Sequence, residues 1–83
     1  MTYNLIANIK VNGEFFERVT PKKITKKNAN SVKNPSAWYF ASVEDAIAKV
    51  NKIVEQKQFD HSERVVLSIC DRDGNFIANA AIQ

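Results

Sequence analysis

Cysteine occurs once in this chain, at Cys70, and histidine once, at His61. A single thiol excludes an intrachain disulfide and a metal cage built of cysteines. Glycine is confined to Gly13 and Gly74, both inside turn dipeptides. No glycine-rich loop remains to gather backbone amides around a phosphate, so the nucleotide-binding motifs built on such loops are excluded. Long apolar runs are missing as well. The longest is Ala37-Trp38-Tyr39-Phe40-Ala41, far short of the roughly 20 residues that span a bilayer. The N-terminal residues show no cationic region leading into an apolar one, so no secretory signal is expected. A domain that must hold together without staples suits a reducing cytoplasm, which is the expected location.

What is present is 83 residues, 45% hydrophobic and 25% charged, an ordinary balance for a folded chain. That length makes a single domain, 1–83, burying only about 60–65% of its unfolded surface. The net charge of +3 is unevenly spread. Every charge between Arg18 and Lys33 is positive (Arg18, Lys22, Lys23, Lys26, Lys27, Lys33), while the remainder of the chain is acidic on balance.

Residues 3–11 alternate, with Tyr3, Leu5, Ala7, Ile9 and Val11 apolar, the period of a half-buried strand. Asn12-Gly13 follows, a strong hairpin signal, because both residues accept the positive φ of a type I′ turn. Glu14–Val19 is the return strand. Its register has two solutions. A two-residue turn sets Ile9 opposite Phe16, whereas a three-residue loop with a bulge sets Ile9 opposite Phe15 and Leu5 opposite Val19. The bulged register gives the more coherent apolar face and is the one expected. Residues 20–36, with prolines, asparagines and lysines throughout, read as a long exposed basic loop. Ala37–Ala41 reads as a short aromatic strand.

Ser42-Val43-Glu44-Asp45 opens a helix in the manner of a capping box, with two acids at the positive end of the helix dipole. Val43, Ala46, Ile47, Val50, Ile53 and Val54 then recur at helical spacing as one stripe. The helix is expected to end near Gln58, with Phe59 tucked beneath it. Arg64–Asp71 and Asn75–Ile82 flank Asp73-Gly74, a second type I′ signal. That turn sets Ile69 opposite Ala78, Leu67 opposite Ala80 and Val65 opposite Ile82, all apolar and on one face. The expected fold is therefore α+β: a mostly antiparallel sheet of about five strands, in the order β-β-β-α-β-β, with one helix on one face.

No catalytic constellation can be assembled. His61 lies in a polar loop beside Asp60, Ser62 and Glu63, where contiguous residues do not orient a base for a nucleophile. Cys70 reads as a small strand hydrophobe rather than an activated thiolate. Asp71-Arg72-Asp73-Gly74-Asn75 looks like part of a calcium loop, but with Gly74 at loop position six the first and twelfth ligands would be Ile69 and Ala80, which cannot coordinate. Glu44 and Asp45 point about 100° apart on a helix and serve the cap. Neither cofactor nor metal is expected.

Two features point to binding. Lys22, Lys23, Lys26, Lys27 and Lys33 lie near Trp38 and Tyr39, as cations on a loop beside stacking rings would for nucleic acid, or for an acidic groove on a protein. The sheet face away from the helix would carry Phe16 (or Phe15), Val66, Ile77, Cys70, Ile6 and Ala81, an apolar surface of the kind that marks contacts. Either the 20–36 loop folds over it, or a partner or second copy does. The leading expectation is a non-enzymatic protein-interaction domain using both features, acting by occlusion or as an assembly part and capable of forming a homodimer. The alternative is a nucleic-acid-binding protein working through the lysine segment. No family motif is matched. In style, as a short chain rich in lysine and asparagine without active-site parts, it resembles the small proteins of phages and mobile elements. Those include anti-CRISPR inhibitors of host defence, but no residue carries the resemblance and no site is taken from it.

Overall fold

The computed structural model describes residues 3–31, 35–57 and 59–82. The elements are β1 (Leu5–Val11), β2 (Glu14–Val19), α1 (Pro35–Trp38), α2 (Val43–Lys57), β3 (Val65–Asp71) and β4 (Phe76–Ala81). The strands form one antiparallel sheet in the order β2-β1-β3-β4. The fold is thus α+β, but with four strands among the described residues rather than the expected five.

The missing strand is the stretch 37–41. Pro35, whose fixed φ suits the first position of a helix, opens the single turn of α1, closed by the Tyr39 N–H donating to the Pro35 carbonyl at 2.9 Å. The chain then touches the sheet at one residue. Phe40 forms an isolated antiparallel bridge with Leu5, its N–H donating to the Leu5 carbonyl at 2.9 Å and its carbonyl accepting from the Leu5 N–H at 3.0 Å. β2 pairs with β1 only as far as Ala7–Val19, so Phe40 supplies the edge partner that Leu5 would otherwise lack.

The first hairpin takes neither expected register. Asn12 (φ 53°) and Gly13 (φ 84°) form the two-residue positive-φ turn, and Val11 pairs with Glu14. Carried on without interruption, that register would turn Arg18 towards the core, opposite Ala7. Burying an unpaired guanidinium is too costly. The strand instead inserts a bulge at Phe16, so that Lys10 pairs with Phe15, Ile9 with Glu17 and Ala7 with Val19. Val19 is buried at 3% exposure, and neither phenylalanine enters the core: Phe15 is 66% and Phe16 44% exposed.

The second hairpin also departs from its expected turn. The Gly74 N–H donates to the Asp71 carbonyl at 3.1 Å and the Asp71 N–H to the Asn75 carbonyl at 2.9 Å, closing a three-residue loop with Gly74 at φ 89°. The Asp71 carboxylate holds that loop, accepting from the Asp73 and Asn75 backbone N–H groups at 2.9 Å each and from Asn75 Nδ2 at 3.0 Å. A bulge at Ile77 then offsets the longer loop. Ile69 faces Ala78 and Leu67 faces Ala80, as the apolar pattern requires, and the Ile82 N–H reaches the Val65 carbonyl at 2.9 Å. Burial of the inner face overrides turn length.

α2 begins where the sequence indicates. Ser42 Oγ accepts from the Asp45 N–H at 3.2 Å, and Glu44 and Asp45 occupy the first turn. Its Ala46 and Val50 join Leu5, Ala7, Ile9, Val19, Phe40, Val65, Leu67 and Ile69 in one buried cluster. Val43, Ile47, Ile53, Val54 and Phe59 pack around it. Gln58, the expected helix end, lies outside the described residues.

Candidate docking surface

The strand residues that alternate with the buried set define a second face, on which no residue is buried. The strand pairing arranges it in three rows. One runs Phe15–Lys10–Val66–Ala81 and one Arg18–Asn8–Ser68–Asn79. The third runs Ile6–Cys70–Phe76. Two largely apolar rows thus flank a polar one, and the exposed rings Phe15 and Phe76, each 66% exposed, stand at diagonally opposite corners. None of these positions is an aspartate or glutamate.

Of the sequence-derived face residues, Val66 and Cys70 lie here, both half-buried among their neighbours. Phe16 does not. The bulge turns it towards the helix side, where its ring meets Phe59 edge-on at 5.4 Å and Lys57 Nζ lies 4.9 Å from its centroid. Lys57 also bridges to Glu17 Oε1 at 2.8 Å. Phe15 takes the place on the face that was assigned to Phe16. Ile77 is the bulged residue of β4, 44% exposed, and Phe76 rather than Ile77 stands opposite Cys70. Both exchanges follow from bulges: the one in β2 falls at Phe16 after a two-residue turn, not in the three-residue loop expected, and the one in β4 was not expected.

Lys22, Lys23, Lys26 and Lys27 are exposed, on a segment ordered by its own turns. Asn28 Oδ1 accepts from the Thr25 N–H at 2.8 Å, and the Ser31 N–H donates to the Asn28 carbonyl at 3.0 Å. The segment packs along α2. A cavity of about 440 Å³ is lined by Val19, Lys23, Ile24, Ile53 and Lys57, and one of about 310 Å³ by Tyr3, Pro21, Phe40, Asp45 and Lys52, with Lys49 common to both. Lys33 lies outside the described residues. Of the described loop lysines, Lys23 borders α2, in a cavity that Arg18 also lines.

The remaining chemistry-bearing residues are dispersed. Ser62 turns away from His61, its hydroxyl and its N–H both donating to Asp60 Oδ1 at 2.9 Å. Those bonds hold the Asp60 carboxyl below its ordinary value, while bonds from Asn75, backbone then side chain, do the same for Asp71. Among the described residues, no group of three or more His, Cys, Asp and Glu is placed to hold a metal ion, and no helix is long and apolar enough to cross a membrane. No known protein family, curated protein or solved structure matches this chain.

Sequence reasoning missed Arg18, Tyr39 and Arg72 as a group. Both guanidiniums lie over the Tyr39 ring, with Arg18 Cζ 5.4 Å and Arg72 Cζ 4.5 Å from its centroid. The sequence places Tyr39 in an aromatic strand, and Arg18 and Arg72 stand 54 positions apart. Only the Phe40–Leu5 bridge, which sets the 38–40 segment between the end of β2 and the β3–β4 turn, brings them together.

Proposed function

We propose that this chain is a non-enzymatic interaction domain that docks on another protein through the open face of its sheet and acts by occluding the surface it covers. The observation that carries the reading is the exposure of Phe15 and Phe76 at 66% each, on a face with aliphatic neighbours Ile6, Val66 and Ala81. Aromatic rings that become buried on association are among the anchors that protein interfaces use. Charge specifies the occupant. The face presents Lys10 and Arg18 and no carboxylate, so the matching surface carries apolar residues opposite the two outer rows and Asp or Glu opposite Lys10 and Arg18.

One observation favours nucleic acid as a second reading. The middle row Arg18–Asn8–Ser68–Asn79 offers hydrogen-bonding groups between exposed aromatic rings, and Lys22, Lys23, Lys26 and Lys27 add exposed cations nearby in the chain. The aliphatic half of the face argues the other way, since Val66, Ile6 and Ala81 have no ring to stack on a base.

The test places a photoreactive phenylalanine analogue at position 15 or 76 in cells, with position 51 on the exposed side of α2 as control. A discrete protein adduct is expected from 15 and 76 and not from 51. Adducts removed by nuclease would transfer the function to nucleic acid. Adducts made only of two copies of this chain would replace the acidic partner with a homodimer. Equal labelling from all three positions would remove the docking reading.

A further inference from the structure

Arginine usually meets a carboxylate when one is in reach, because its planar fork matches two oxygens at once. Arg18 and Arg72 break that habit. Their guanidinium carbons lie 5.4 and 4.5 Å from the centroid of one ring, Tyr39, which places them within about 10 Å of each other. Neither has an ion-pair partner among the described residues. Arg18 spends one N–H on the Trp38 carbonyl, Nη2 to O at 3.3 Å, and the rest of its fork is open. The acid next to Arg72 in sequence is already committed, since Asp71 accepts three hydrogen bonds from Asp73 and Asn75. Asp73, the other neighbour of Arg72, forms no ion pair with it.

Position adds the second argument. Arg18 belongs to the middle row of the open face through its pairing with Asn8, and Arg72 begins the turn that joins β3 to β4. The Leu5–Phe40 bridge fixes Tyr39 beside the row that contains Ile6 and Cys70. Two like charges held near one ring repel each other, and an anion bound beside both lowers that repulsion. We infer that Arg18, Tyr39 and Arg72 form a clamp for a carboxylate presented by the docked protein, one of the acids that the charge of the open face calls for. The inference rests on the docking reading for the source of the carboxylate, but not for the clamp itself.

The experiment uses the full chain and sodium acetate as the probe, at constant ionic strength set with chloride. NMR follows the Nε–Hε signals of Arg18, Arg72 and Arg64 together with the Tyr39 ring. Arg18, Arg72 and Tyr39 are expected to shift along one saturating curve with a common midpoint, while Arg64 stays in place. Arg72→Gln should abolish saturation at Arg18, and Arg18→Gln should abolish it at Arg72. Amide spectra of the two variants, superimposable on the wild type elsewhere, will show that the fold is kept. Parallel shifts of all three arginines, or independent midpoints for Arg18 and Arg72, would overturn the clamp. Saturation by inorganic phosphate with none by acetate would overturn the carboxylate assignment. Should acetate saturate the clamp while photocrosslinking from positions 15 and 76 fails, the clamp stands and the docking reading falls, so the two failures are distinct.

Discussion

Three phenylalanines that look alike in sequence occupy opposite environments, and exchanging them one at a time measures the open face directly. Phe40 is 3% exposed and belongs to the buried cluster, whereas Phe15 and Phe76 are each 66% exposed. Phe40→Ala deletes a fully buried ring next to Leu5 and is expected to cost about 3–5 kcal/mol, the usual range for such a cavity. The whole domain, at about 0.05–0.15 kcal/mol per residue, has only about 4–12 kcal/mol to lose. Phe15→Thr and Phe76→Thr keep a strand-forming residue and remove a ring that has given up only about a third of its surface. Full burial of such a side chain is worth about 1.5–3 kcal/mol, so each of these changes should cost no more than about 0.5–1 kcal/mol. In urea, with a slope of about 1 kcal/mol per M for a domain of this size, Phe40→Ala lowers the midpoint by about 3 M or more, and the two face variants by less than about 1 M. A loss of 2 kcal/mol or more at Phe15 or Phe76, with an unchanged slope, would mean that those rings are covered in the folded chain. The reasoning that makes them contact residues would then be wrong.

Other expectations follow from local contacts. Ser42→Ala removes the oxygen that caps α2 and should cost about 1 kcal/mol in thermal melts followed by circular dichroism, whereas Ser42→Asp should be neutral. A double-mutant cycle on Phe16 and Phe59 should return a coupling of about 0.5–1.5 kcal/mol, and an additive result would deny the edge-on contact. Gly13→Ala, forced to φ 84° in the turn, should lose about 1 kcal/mol, measured by chemical denaturation. The Asp71 carboxyl is held below its ordinary value of 3.8 by bonds that only the folded turn makes. Its contribution is therefore complete above that value and is lost as pH falls through the lower, folded one. Carboxyl NMR should find Asp71 titrating below 3.8, and a midpoint above it would contradict the observed turn.

Regular periodicity made the core legible. The alternation at Leu5, Ala7 and Ile9, the helical stripe through Ala46 and Val50, and the ladder of Val65, Leu67 and Ile69 all reappear as one buried cluster. Each pattern repeats with the period of its element, so burial and sequence carry the same signal. What stayed hidden depends on single-residue offsets. The bulges at Phe16 and Ile77 each move one side chain relative to its neighbours. In β2 the offset is driven by the need to keep Arg18 out of the core, a global requirement that the string Glu14-Phe15-Phe16-Glu17 does not contain. For the same reason Phe15 and Phe76, not Phe16 and Ile77, became the corners of the candidate surface. The 37–41 stretch misled because aromatic residues favour strands in general, while Pro35 gave the first turn to a helix. The Arg18–Tyr39–Arg72 group was invisible because its members meet only after β2, α1 and the last hairpin are in place.

The most direct check on the uncovered face is solvent accessibility in the free chain, read as relaxation enhancement from a soluble neutral paramagnetic agent. The methyls of Ile6 and Val66 and the rings of Phe15 and Phe76 should relax strongly, while the methyls of Ile9, Leu67 and Ile69, all at 0% exposure, should be shielded. Shielding of Ile6 and Val66 equal to that of Leu67 would show that the face is already sealed, and the proposal of a docked partner there would have no ground.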